Sequence, residues 1–121
     1  MTVEDFLYQS ADKLRAGEFL VPEVVLPAID EAREELEKMS VALEEDPSPA
    51  GLEALDSAMF EAYGLFLDAL DLLELAVEDD IPTLAPEILL RTQDGVETLR
   101  EVRRQAATHN QALTEEMGVV G

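Results

Sequence analysis

Cysteine and tryptophan are absent from this 121-residue chain, histidine occurs once, and lysine only twice, as Lys13 and Lys38. Without cysteine there is no disulfide framework, thiolate zinc site, iron–sulfur cluster or cysteine nucleophile. No apolar run approaches the ~18 residues that a membrane span needs, and no charged–apolar–small signal opens the chain. The expected location is therefore the cytoplasm. Basic residues are scarce: 8 Lys+Arg stand against 28 Asp+Glu, a formal charge of −20 with a pI near 4.1. A body this acidic repels phosphates and anionic headgroups, so neither nucleic acid nor membrane is an expected partner. It attracts cations and basic protein surfaces, unless the acid is salt adaptation that serves solubility. What the chain does have is an apolar fraction of 47%, enough for one globular domain rather than a disordered acidic tail.

The apolar residues recur at helical spacing. A first helix is expected over about 3–16, opened by the Thr2–Asp5 capping pair and closed by Gly17, with Val3, Phe6, Leu7, Ser10, Ala11 and Leu14 on its inner stripe. A second, about 22–45, carries Ile29, Ala32, Leu36, Met39 and Leu43 inward and Glu31, Glu34, Glu35 and Lys38 outward. Pro27 lies in its early turns, where it marks the true first turn or a kink.

A third helix is expected over about 49–77, with Ser48 as N-cap and Pro49 at its first position. Leu52, Met59, Phe66 and Leu73 alternate with Leu55, Ala62, Ala69 and Ala76, and both flanks are apolar too, which calls for neighbours on several sides. A fourth, about 86–117, turns Ile88, Thr92, Gly95, Val96, Leu99, Val102, Ala106, His109 and Leu113 inward. No segment reads as a strand. The short connections imply an all-α, up-down antiparallel four-helix bundle in a single domain, with one short N-terminal helix and two long ones.

Leu20–Leu26 and Leu84–Leu90 match at an offset of 64 residues, and Asp30 matches Asp94. This weak repeat suggests two related hairpins with both proline loops at one end, where Phe19, Leu20, Ile81 and Leu84 could plug the core.

Residues that could carry chemistry are few. His109 lies on the inner stripe of the fourth helix, and the plain reading is a boundary histidine. With Arg104 it forms an R-x4-H spacing that resembles the motif of HEPN-domain ribonucleases, small helical bundles whose Arg and His act on RNA at a dimer cleft. That resemblance would make Arg104 and His109 catalytic. Gly17-Glu18-Phe19-Leu20-Val21-Pro22-Glu23-Val24 resembles the G-E-[YF]-x-x-P-E link in the helical cap of corrinoid proteins, and so implies a free-standing cap domain. The D-x-H-x-x-G element of the cobalamin domain itself is absent.

A di-iron bundle needs Glu-x-x-His pairs, but Ala106 stands three residues before His109. Asp68, Asp71 and Glu78 read as a solvated strip. Neither metal nor cofactor is expected, and no serine has a histidine at catalytic spacing. The expectation is a non-enzymatic interaction module, an adaptor or small chaperone-like subunit, whose apolar groove flanked by acid accepts a basic amphipathic segment. A homodimer is expected as well. The first helix covers only the upper half of its neighbours, which leaves Leu55, Met59, Phe60, Tyr63, Leu113 and Met117 as a candidate interface.

Overall fold

Thr2 begins the first helix as its spacing predicts: the Asp5 amide donates to the Thr2 hydroxyl oxygen at 3.2 Å. In the computed structural model, which describes the backbone of residues 1–118 and the side chains of residues 1–109, helix α1 spans Val3–Arg15. Its end is a Schellman closure. Gly17 takes φ +79° while the Glu18 amide reaches the Lys13 carbonyl at 2.9 Å and the Gly17 amide reaches that of Leu14 at 3.1 Å.

Helix α2 spans Pro22–Glu45, with Pro22 in the first turn, where its missing N–H costs nothing, and Pro27 carried inside the helix. Helix α3 spans Glu53–Glu78, four residues later in its start than expected. Ser48 is not its N-cap. The Ser48 amide and hydroxyl instead donate to the Asp56 carboxylate at 2.9 and 2.5 Å. Asp56, 9% exposed, thus ties the connection onto the first turn of α3. Gly51 at φ +96° turns the chain between them, and its amide donates to Glu53 Oε2 at 2.9 Å.

Helix α3 ends as α1 does, but without glycine. Asp80 takes φ +52° and the Ile81 amide returns to the Ala76 carbonyl at 2.9 Å. A left-handed residue with a Cβ costs free energy that glycine avoids, and three successive acids meet the negative end of the helix dipole here. Asp80→Gly should therefore stabilise the fold by about 0.5–1 kcal/mol and raise Tm by a few degrees. Thermal melts would test this; a lower Tm would mean that Asp80 makes a compensating contact. A 3-10 turn at Pro82–Leu84 leads into α4, Ala85–Gly118.

The four helices form the expected up-down bundle, and no strand occurs among the described residues. Helix α3 is the centre: α4 packs along it on one side, α2 on the other, and α1 rests on α4 and α3. Leu7, Ile29, Leu36, Phe66, Leu70, Leu73, Ile88 and Thr92 are fully buried, and the Thr92 hydroxyl is satisfied by the Ile88 carbonyl at 2.7 Å. Gly95 lets α4 close on α3, since a Cβ there would stand 2.6 Å from the Phe66 ring. At Gly64 a Cβ would meet nothing.

The two hairpins are not packed alike. Helices α3 and α4 touch along their length, whereas α1 and α2 have little or no direct contact. Both proline loops do lie together, since the α1–α2 loop lines a small recess with Ala76, Val77, Asp80 and Pro82. Leu20 plugs this end at 8% exposure, but Phe19 does not, being 77% exposed. Phe19 and Leu20 are adjacent in an extended stretch between Gly17 and Pro22, so only one of the pair can face inward.

Candidate functional site

A four-helix bundle buries its core by closing all four edges of a square. Here three edges are closed, α1–α4, α4–α3 and α3–α2, and the fourth, between α1 and α2, is open. Length is part of the cause. Helix α1 has 13 residues against 24 in α2 and 26 in α3, roughly 20 Å against 36–39 Å at the helical rise. Helix α2 is also drawn toward α3, because Arg33 donates to Asp71 at 2.7 Å and to Glu74 at 2.5 Å. Its other flank is left facing a gap.

That gap is a groove of about 620 Å³. Ala28 and Met39 of α2 form one wall and Val3 and Phe6 of α1 the other, with the core residues Ala32, Leu36 and Phe66 lying beneath at 8%, 1% and 1% exposure. Glu31 and Glu35 line it from α2, Glu4 from α1 and Arg103 from α4. The α2 residues alternate by three and four, so one strip of the helix supplies apolar contact and carboxylates together. Met39, expected in the core, is 37% exposed, because α1 does not extend far enough to cover it.

The expected interface residues divide. Leu55 at 7% and Tyr63 at 4% exposure are buried within the chain, so they do not belong to a surface patch. Both are buried without a second copy of the chain. Burial also raises the Tyr63 phenol above its ordinary pKa. Met59 is half-buried, Phe60 is 37% exposed, and Leu113 and Met117 lie outside the residues whose side chains are described. Of the expected interface residues whose side chains are described, Phe60 and part of Met59 are at the surface.

Arg104 and His109 are not brought to one site. Five residues apart on one helix, they point roughly 140° apart around its axis. Arg104 is held by Glu101 of its own helix at 2.9 and 2.5 Å. Hydrogen bonds from Arg104 and then Gln105 hold the exposed Glu101 carboxyl down to about 2. His109 is half-buried.

A second concavity, about 460 Å³, runs between α3 and α4 and is lined by Glu61, Asp94, Glu97 and Glu101 beside Leu65 and Val102. Among the described residues, no group of three or more His, Asp or Glu is placed to hold a metal ion. No helix among them is long and apolar enough to cross a membrane. Compared with protein-family models, curated proteins and solved structures, the chain matches none of them.

Proposed function

We propose that the protein is a non-enzymatic interaction module, an adaptor or small chaperone-like subunit, whose binding site is the groove between α1 and α2. The carrying observation is the open fourth edge: the partly exposed apolar residues Val3, Phe6, Ala28 and Met39 with, among the described residues, three carboxylates and one guanidinium, in a chain of net charge −20. The apolar strip supplies affinity by burial, at about 25 cal/mol per Å² removed from water. The carboxylates select a basic partner over an acidic one and speed its encounter.

The test is direct binding of a labelled synthetic peptide with leucines at i, i+3, i+4 and i+7 and lysines on the flanks, followed by fluorescence anisotropy. Binding in the micromolar range is expected, about −8 kcal/mol. It should weaken as salt rises, since exposed charges are screened over ~10 Å at 0.1 M. Ala28→Gln, which adds bulk on the groove wall without charge, should weaken it at least tenfold with an unchanged circular dichroism spectrum. No binding by the wild-type chain, or equal binding by Ala28→Gln, would overturn the proposal.

A further inference from the structure

Peptides dock on proteins in a small number of ways, and this structure is suited to one of them. Addition of an extended strand needs an exposed sheet edge, and no strand occurs among the described residues. Proline-rich segments need grooves lined by aromatic rings, but this groove has only Phe6 and the buried Phe66. Phosphorylated segments need clustered arginines, and only Arg103 lines the site. What remains is a helix laid between two helices. Ala28 and Ala32, one turn apart on α2, remove side-chain bulk where its backbone would approach.

Position then adds chemistry. Glu31 and Glu35 are four residues apart on the same flank of α2, about 6 Å along its axis. Both are exposed and both line the groove, and neither takes part in an ion pair found among the described residues. Of the other acids of α2, Asp30 shares Arg33 with Asp71 and Glu74 on α3, while Glu34 and Glu37 are also outside the ion pairs found among the described residues but do not line the groove. What sets Glu31 and Glu35 apart from the other unpaired acids of α2 is their place, since they alone among them border the groove.

Resting on the groove as the binding site, we infer that the partner is an amphipathic helix whose apolar stripe is bordered, on one side, by two lysines or arginines one turn apart. These cations pair with Glu31 and Glu35, while its apolar residues cover Ala28, Ala32 and Met39. The helix takes the place of the missing fourth edge.

Two peptides of identical composition separate the claims. In one, a pair of lysines at i and i+4 borders the leucine stripe; in the other, the same two lysines are moved to the face opposite it. The bordered peptide should bind at least ten times more tightly and gain helical circular dichroism on binding. Glu31→Gln with Glu35→Gln should abolish that advantage. Glu31→Lys with Glu35→Lys should transfer the preference to a third peptide, with glutamates in place of the bordering pair. Equal binding of the two isomers, each sensitive to Ala28→Gln, would overturn the paired-cation inference and leave the groove standing. Binding without a gain in helicity would overturn the helical partner. Failure of every peptide to bind would remove the groove itself and the inference with it.

Discussion

Phe66→Ala should destabilise the fold by about 3–5 kcal/mol and Gly95→Ala by about 1–2 kcal/mol, yet the double variant should lose less than the sum. Phe66 is 1% exposed at the centre of α3, and its ring occupies the space where a Cβ on residue 95 would sit, 2.6 to 3.0 Å from three ring carbons. The ring is walled in by the core, so the clash is relieved only by moving α4 off α3 or by forcing Phe66 from its rotamer. Overpacking of this kind costs about 1–3 kcal/mol, against a gain of up to about 1 kcal/mol from putting alanine for glycine in a helix. The net sign is therefore destabilising. In the Phe66→Ala background the added methyl enters a cavity and only the helical gain remains. The coupling between the two changes should exceed 1 kcal/mol in chemical denaturation. Additive effects within 0.5 kcal/mol would mean that α4 does not rest on the Phe66 ring.

The helices were legible in the sequence because the apolar period states which face of each is wet and which is dry. It placed Leu7, Leu36, Leu73 and Ile88 inward, and all four are fully buried. Period does not state which neighbour covers a face. By period alone Leu55 and Tyr63 are apolar residues to spare beside a short α1, yet both are buried within the one chain. Helix α1 is short, as Gly17 implies, and the consequence is a gap beside α2 at Met39 and Ala28.

Local chemistry misled at Ser48, since a serine before a proline has the form of an N-cap. The competing acceptor, Asp56, lies eight residues away, beyond the range of a capping rule. The acidic flank of the groove was anticipated as a kind of surface but not as a place. Glu31 and Glu35 looked the same as Glu34 until Arg33 was seen to turn the opposite flank of α2 toward α3. The partners of Arg33 stand 38 and 41 residues along the chain, and nothing in its own neighbourhood announced them.

Arg33 accordingly carries the second large prediction. Helix α2 packs on α3 with little support from α1 or α4. Its apolar contact is a single stripe, Val25, Ile29, Ala32 and Leu36. Arg33, 29% exposed, adds a fork that binds Asp71 and Glu74 and also reaches Asp30 at 3.4 Å. Burial pulls the guanidinium pKa down, but the hydrogen bonds to Asp71 and Glu74 outweigh it and hold the pKa above its ordinary value. Single surface ion pairs contribute about 0–1 kcal/mol, whereas one cation shared by three carboxylates also offsets their mutual repulsion. Arg33→Ala should cost about 1–2 kcal/mol and Arg33→Glu more, because the reversal adds a fourth acid to the cluster. Arg33→Lys should recover only part, since a lone ammonium cannot make the fork. Raising NaCl to 1 M should narrow the gap between Arg33→Glu and the wild type, because the repulsion it introduces is screened. The loss should also be local. Hydrogen exchange should speed up along residues 25–36 of α2 before it does so in the paired α3 and α4. A uniform acceleration through all the helices would show instead that α2 is not the separately held wall of the groove, and that its attachment to α3 cannot be loosened without unfolding the whole bundle.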